Sequence, residues 1–305
     1  MMMDKILNRI TPYIGIVLFP IALAVVHQEL KSHTIVEIIT DLSQLPLPVM
    51  VLGLVLTGIN YLFLTGYDFL ALCYLGRAVT PKYVIPASMI SFAVSNNTGQ
   101  ALISGSSMRY RFYSRCGLSG MDILKFSLFL SLMYLLGAAT LFCISTMTSA
   151  RTLFPSMSTA NTAKVSAWVC MAGLTVFWSC VLIRKKPFFV KGVEINLPSP
   201  GLSLAQTLIA MIDLILSSVI LYIFLQVHVD IPFHTFLSVY ITAQMFGLFS
   251  QVPGGLGVFE GSFLYLLGPG IPASPMCYRS CWPCPVVFAG IRFKTDGPRG
   301  NKMAV

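Results

Sequence analysis

The chain has 305 residues, of which 56% are hydrophobic and only 10% are charged, and its formal net charge is +9. Soluble domains usually carry about 25% charged residues, so this composition excludes an ordinary soluble enzyme. The basic residues stand in short blocks between apolar runs, which indicates membrane topology rather than nucleic-acid binding. We predict an all-α polytopic integral membrane protein with about six spans and two broken, re-entrant segments.

The chain begins with two clean apolar runs. Residues 12–26 form the first, after Lys5 and Arg9, and residues 47–75 form the second. No small-residue cleavage site follows the first run, so it is predicted to be a retained span. Because positively charged loops face the cytoplasm, the N-terminus and the loop 76–83 are predicted to lie inside.

The next apolar run, residues 84–103, has a polar middle that contains Asn96 and Asn97, and three arginines follow it. A single crossing would carry those arginines outside, against the positive-inside tendency. A re-entrant hairpin that breaks at 96–99 would return the chain to the same side. Broken backbone at membrane depth has to be buried in protein or line a cavity, so we expect one of these here. The alternative is one ordinary short span.

The rest of the chain again contains clean apolar runs followed by a broken one. Its apolar runs span residues 121–147, 163–183, 202–227, 236–250 and 258–268. A Ser/Thr-rich loop is predicted at 149–163, and the basic block after Ile183 is the strongest inside signal. Pro253 and the glycines Gly254, Gly255 and Gly257 break the last run. Two breaks that enter from opposite sides would fit an inverted repeat, which is a hypothesis from the pattern alone.

Motifs of soluble enzymes fail in this sequence. Gly255 and Gly257 look like the start of a dinucleotide-binding fingerprint, but Glu260 occupies the third glycine position and no βαβ pattern precedes it. The histidines stand in loops without the spacing of metal ligands. We therefore expect no catalytic residues, metal or cofactor on this chain.

Ionisable residues within the apolar runs are better candidates for function. Asp68, Asp213 and Glu260 lie inside predicted spans, where a charge is costly unless it faces a partner or water. Gln251 lies across the second break from Glu260 and would share its cavity. The alternative is that each acid is a helix-end residue near the lipid headgroups.

Three arginines follow the first broken segment, at Arg109, Arg111 and Arg115. Guanidinium groups present forked donors that match phosphate oxygens, and at a cytoplasmic lipid boundary the available phosphate is a phospholipid headgroup. The alternative is an ordinary positive-inside anchor with no role in substrate binding.

Two segments together resemble one protein family. Residues 104–113, SGSSMRYRFY, with the GLS at 117–119, resemble the SGGSIRYRLY…GLS stretch of the lysylphosphatidylglycerol synthases, the multiple peptide resistance factor family. Residues 247–260, GLFSQVPGGLGVFE, resemble the second hallmark of that family's membrane domain. The two stretches fall in the family's order, and the resemblance covers roughly residues 1–274.

The resemblance implies a function in lipid translocation. Full-length members join a flippase-like membrane domain to a cytoplasmic domain that transfers lysine from aminoacyl-tRNA to phosphatidylglycerol. Moving that lipid outward across the bacterial inner membrane confers resistance to cationic antimicrobial peptides. The implied partners are anionic and aminoacylated phospholipids, with a homo-oligomer as a further hypothesis. The implied site residues are Arg109, Arg111 and Arg115 for the lipid phosphate, and Asn96, Asn97, Gln251, Gly254, Gly255 and Glu260 for the translocation path.

The chain departs from the family pattern near its end. Residues 1–274 are predicted to form the flippase-like domain, whereas 275–305 are rich in Cys, Pro, Arg and Gly without periodicity. Cys277, Cys281 and Cys284 lack a fourth metal ligand at sensible spacing. We interpret this tail as the product of a frameshift or truncation, and aminoacyl transfer is not assigned to the chain. A stand-alone transporter of another amphiphile and a non-functional fragment are the alternatives.

Overall fold

The computed structural model describes residues 46–98, 104–153, 157–183, 188–190, 193–195, 197–226, 231–250, 255 and 257–267. The predictions for the first span, for Gln251 and Gly254, and for the tail 275–305 lie outside these residues.

The described residues are almost entirely helical, which confirms the predicted all-α class. The helices are α1 (Leu47–Tyr74), α2 (Pro81–Thr98), α3 (Ser106–Tyr113), α4 (Gly120–Leu153), α5 (Met157–Ile183), α6 (Pro200–Leu225), α7 (Phe233–Phe249) and α8 (Val258–Leu267), with a short 3-10 turn at Ser114–Cys116. Two strands, Phe188–Val190 and Val193–Ile195, pair antiparallel in the predicted basic loop.

Helices α1, α4, α5 and α6 are each long and apolar enough to cross a bilayer. Their outward faces carry large apolar side chains such as Val55, Trp168 and Val176, all more than half exposed. Lipid is the environment that covers such faces, so the polytopic membrane class is confirmed. Helix α2 is not among these four apolar helices, in keeping with the polar residues in its last turn.

The loop predicted at 149–163 is mostly wrong, because α4 runs to Leu153 and α5 starts at Met157. Hydroxyl side chains do not end α4, since they bond back to the helix itself. Thr148 Oγ1, for example, donates to the carbonyl of Ile144 at 3.0 Å. Such back-bonding lets Ser and Thr continue a buried helix.

The chain reverses direction after α2. A Cβ placed on Gly105 would lie 3.5 Å from Ser95 Cβ, whereas ten residues of continuous helix would separate the two positions by about 15 Å. The helix continues through Asn96 and Asn97 to Thr98, so the break predicted to start at Asn96 does not lie at these three residues. An asparagine in a helix interior costs well under about 1 kcal/mol of stability relative to alanine, and tertiary packing overrides a cost of this size.

The second predicted break is confirmed by the interruption between α7 and α8. Gly255 and Gly257 both have positive φ, at 63° and 77°, a conformation that glycine adopts without strain. A Cβ on Gly255 would approach Gly247 Cα at 3.2 Å, so the returning chain lies directly on α7. Helices α7 and α8 then pack against each other.

Helices α1 and α6 pack side by side and run antiparallel. Gly53 near the start of α1 lies under the ring of Phe224 near the end of α6, with its Cβ position 2.7 Å from Phe224 Cε2. Close approach of the two backbones therefore depends on small residues, as is usual between membrane helices. Helix α4 packs against α6, and α7 packs against α4.

Candidate functional site

A buried ion pair connects α1 to α3. Arg109 donates from Nε and Nη2 to Asp68 Oδ1 at 3.1 and 3.0 Å, and both side chains are at most 4% exposed. Tyr113, one helical turn after Arg109, donates from its hydroxyl to Asp68 Oδ2 at 2.7 Å. The carboxylate thus holds donors from two residues on one face of α3.

The ion pair lies in an aromatic pocket. The guanidinium carbon of Arg109 lies 4.6 Å from the ring centre of Phe92 and 5.6 Å from that of Phe126, which is cation–π distance. Burial, and then the neighbouring Asp68 carboxylate, raise the pKa of Tyr113 well above its usual value. Tyr113 therefore remains a protonated donor to Asp68 at physiological pH.

Local structure fixes where α3 presents Arg109. Ser106 Oγ lies 2.7 Å from Ser127 Oγ of α4, which ties the start of α3 to that helix. At the other end, Gly117 with φ 84° terminates the helical turn, and the Leu118 amide bonds back to the Tyr113 carbonyl at 3.1 Å. The SGSS and GLS stretches therefore fix both ends of the short helix that carries Arg109.

A second set of polar side chains lies between α1 and α6. Asn60 Nδ2 donates to Ser217 Oγ at 3.1 Å, and Tyr67 donates from its hydroxyl to Asp213 Oδ2 at 3.0 Å. Gln206 lies on the same face of α6 two turns before Asp213 and is fully buried. We call Asn60, Tyr67, Gln206, Asp213 and Ser217 the polar seam.

The polar seam extends across the middle of the two helices. Asn60 is midway along Leu47–Tyr74, and Asp213 is midway along Pro200–Leu225. If both helices cross the bilayer, these groups lie near its centre, where polar side chains are costly and usually functional. Asp68 is eight residues after Asn60 along α1, which places it about 12 Å closer to one membrane surface.

Several buried atoms in this region have no hydrogen-bond partner. Within the described residues they include Asn60 Oδ1, both amide atoms of Gln206, and the hydroxyls of Ser203 and Ser218. A buried polar atom without a partner costs about 1–3 kcal/mol, so a native structure seldom keeps several of them together without a reason. A polar ligand between α1 and α6 would provide such a reason.

A third polar contact joins α4 to α7. Tyr134 donates to Gln244 Oε1 at 3.3 Å, and Gln244 Nε2 donates to the Tyr240 hydroxyl at 2.9 Å. The Gln244 amide is thus hydrogen-bonded through both its oxygen and its nitrogen, so we interpret the contact as a structural link that fixes α7 against α4.

The structure separates the three predicted phosphate-binding arginines. Arg109 is buried on Asp68, whereas Arg111 and Arg115 are exposed. Only the exposed two are open to a headgroup from outside the protein, and the lipid-phosphate role of all three stays a prediction. Asn96 is partly buried with Nδ2 unpartnered, while the side chain of Asn97 lies outside the described set.

Glu260 stands at a helix end, which was one of the two alternatives for it. Its Oε2 accepts a hydrogen bond from the Gly257 amide at 2.7 Å, a contact that caps the first turn of α8. Gly255 is buried against Gly247. Their role in a translocation path stays a prediction, and the described residues contain no cluster of side chains that would hold a metal ion.

Sequence reasoning selected Asp68, Asp213 and Arg109 but missed the contacts between them and their neighbours. Asn60, Tyr67 and Gln206 were not selected, because uncharged polar residues are tolerated in apolar helices. One signal was available: Ser203, Gln206, Asp213 and Ser217 recur at helical spacing along one face of a strongly apolar helix.

Comparison with known proteins extends over most of the chain. The family described as lysylphosphatidylglycerol synthase TM region matches residues 13–278. The uncharacterized protein slr0712 of Synechocystis is 32% identical over 267 residues, which are 86% of this chain and 82% of that protein. The inner membrane protein YbhN of Escherichia coli is 27% identical over 267 residues, 86% of this chain and 81% of that protein.

Proposed function

This chain belongs to the lysylphosphatidylglycerol synthase TM region family, and we propose that it translocates lysylphosphatidylglycerol across the bacterial inner membrane. The observation that carries the proposal is the polar seam, a set of buried polar groups midway along two helices that are long enough to span the bilayer. A protein that only anchors itself in lipid has no use for such groups, because each of them is costly there.

The physical task of a lipid transporter is to offer the headgroup partners inside an apolar barrier. An isolated charge at the bilayer centre costs several kcal/mol or more, and hydrogen-bonding groups along the path reduce this barrier. The seam between α1 and α6 offers hydroxyl, amide and carboxylate groups at that depth. The acyl chains would stay in lipid along the exposed apolar faces of the helices.

The two arginine environments support two different roles at the membrane surface. Arg111 and Arg115 are exposed, and we propose that they receive the lipid phosphate. Arg109 is held by Asp68, with Nη1 lying 2.9 Å from the Cβ position of Gly105, and we propose that it keeps the turn around Gly105 in place. In this arrangement a side chain at residue 105 would have to displace the Ser95 hydroxyl and the Arg109 guanidinium.

The proposal includes a topology. We place the N-terminus and the arginines at the cytoplasmic face, because the basic blocks would then follow the positive-inside tendency. Lysylphosphatidylglycerol delivered to the outer leaflet would weaken binding of cationic antimicrobial peptides by reducing the negative surface charge. The proposed partners are therefore anionic and aminoacylated phospholipids, and assembly into a homo-oligomer is part of the same hypothesis.

Reconstitution into liposomes tests the proposal directly. Purified protein is placed in vesicles that contain lysylphosphatidylglycerol, and a membrane-impermeant amine reagent reports the outer-leaflet fraction over time. Exchange of the lipid between leaflets that is faster than in protein-free vesicles supports the proposal. Vesicles with the protein that match protein-free vesicles, at a confirmed protein content, would contradict it.

A second candidate is a stand-alone transporter of another amphiphile. The lengths of the relatives favour it, because the aligned 267 residues already make up 82% and 81% of those proteins, which leaves little room for an attached synthase. The same vesicles discriminate the two candidates when the lipid is varied. Faster exchange of unmodified phosphatidylglycerol or phosphatidylethanolamine, without exchange of the lysylated lipid, would favour the second candidate.

A further inference from the structure

We propose that Asp213, Asn60 and Ser217 form a binding site for an ammonium group at the middle of the membrane-spanning bundle. Resting on the proposed function, this inference names the part of the substrate that the polar seam recognises: the protonated amine of an aminoacylated headgroup. The site is distinct from the Asp68–Arg109 pair, which lies nearer one end of α1.

Asp213 differs from Asp68 in lacking a cation. Asp68 is neutralised by Arg109, whereas no basic side chain pairs with Asp213 in the part of the chain that the structure describes. The Tyr67 hydroxyl donates to the Asp213 carboxylate at 3.0 Å and thereby orients it. Asp213 is only 6% exposed, so water cannot replace a counter-ion as fully as it does at a surface.

Tyr67 donates to Asp213, but one turn further along α6 the side chains of Ser217 and Asn60 offer oxygen acceptors, which an ammonium group requires. An ammonium has three N–H donors and no acceptor. Ser217 lies one turn beyond Asp213 on the same face of α6, and it accepts a hydrogen bond from Asn60. Asn60 Oδ1 has no partner although Asn60 is 4% exposed, so an acceptor remains available beside that turn.

The charge of the seam argues for a cation over an anion. Its five residues contain one acid and no base, and the buried arginine, Arg109, already pairs with Asp68. A lipid phosphate at the same depth would face the Asp213 carboxylate without a compensating donor of positive charge. An amine-bearing headgroup would supply the missing cation, with its phosphate directed toward the arginine-bearing end.

Lipid binding to the purified full chain tests the inference, measured by native mass spectrometry with lysylphosphatidylglycerol and, in parallel, phosphatidylglycerol. The Asp213→Asn variant keeps the shape and removes the charge. Loss of one charge-assisted hydrogen bond predicts that lysylphosphatidylglycerol binds about tenfold or more weakly, while phosphatidylglycerol binding is unchanged or stronger. Asp213→Glu should restore part of the preference, and Asp122→Asn, at an exposed ion pair, should match the wild type.

Three outcomes would overturn the inference. The first is equal binding of the lysylated lipid by Asp213→Asn and the wild type, and the second is an equal loss for both lipids. The third is that Asp213→Asn removes thermal stabilisation by sodium chloride but not by the lysylated lipid, which would assign the site to an inorganic cation. If Asp213→Asn is not monodisperse, Asn60→Ala replaces it, with about a tenfold selective loss expected.

Separate measurements of lipid binding and of lipid exchange distinguish a failure of this inference from a failure of the proposed function. Charge-dependent binding of the lysylated lipid without exchange in vesicles would support the site and contradict translocation. Exchange in vesicles that Asp213→Asn leaves unchanged for the lysylated lipid would support translocation and contradict the site.

Discussion

Replacing Asp68 with asparagine should destabilise the protein strongly, because it leaves the Arg109 guanidinium buried without its counter-charge. The carboxylate accepts from Arg109 Nε and Nη2 at 3.1 and 3.0 Å and from the Tyr113 hydroxyl at 2.7 Å, and Asp68 is fully buried. No water shell at the site would solvate the orphaned cation.

The expected magnitude follows from that burial. Removing one partner of a buried ion pair costs about 3–5 kcal/mol. With a shift of roughly 2–4 °C per kcal/mol, the Asp68→Asn variant should melt about 6–20 °C below the wild type. Tyr113→Phe removes one hydrogen bond to a charged acceptor and should cost about 1.5–3 kcal/mol, so its melting temperature should fall by less.

Thermal unfolding in detergent, followed by tryptophan fluorescence or by loss of monodispersity, measures these shifts. The double variant Asp68→Asn with Arg109→Gln removes both charges and should recover at least half of the loss, which is the signature of coupling. The matched control is Arg77→Gln, which breaks an exposed pair with Asp122 and should cost under about 1 kcal/mol. An Asp68→Asn variant that melts within about 2 °C of the wild type, close to the shift of the control, would show that the buried ion pair does not stabilise the fold.

Three further predictions concern packing, the second break and topology. A Cβ on Gly137 would lie 2.9 Å from backbone of α6, so Gly137→Ala should cost about 1–3 kcal/mol of unfolding free energy, whereas Gly58→Ala, with open space around it, should be neutral or stabilising in the same melting assay. Gly255→Ala combines positive φ with a 3.2 Å approach to Gly247 and should lower both the melting temperature and vesicle transport; wild-type values for both would contradict the tight return at this break. In a variant that keeps only the exposed Cys116, an impermeant thiol reagent should label inside-out vesicles and not intact cells, and the reverse pattern would contradict the proposed topology.

Hydropathy was enough to predict the main elements. The apolar runs at 47–75, 202–227 and 236–250 correspond within about three residues to α1, α6 and α7, because a long apolar run has few alternatives to a buried helix. The break between α7 and α8 was also predictable, since Pro253 and the glycines there disfavour a continuous helix. Helix ends in the Ser/Thr-rich region were not, because their hydroxyls bond back to the helix.

The site was predictable only in part. Asp68 and Asp213 were identifiable as acids within apolar runs, and such residues need partners. Which partner each finds depends on packing between residues 41 and 146 positions apart in the chain, as for Asp68 with Arg109 and Tyr67 with Asp213. The positive-inside tendency predicts a surface position for both Arg109 and Arg111. Charge patterns alone do not distinguish the buried Arg109 from its exposed neighbour Arg111.

Outward movement of lysylphosphatidylglycerol can be measured in bacterial cells that lack the lipid and carry a separately encoded synthase domain. Total and outer-leaflet lysylphosphatidylglycerol are measured with and without this chain, the outer-leaflet lipid with an impermeant amine reagent. We expect the chain to raise the outer-leaflet fraction while the total stays the same. An unchanged outer-leaflet fraction, with the chain present in the membrane and the lipid synthesised, would contradict it.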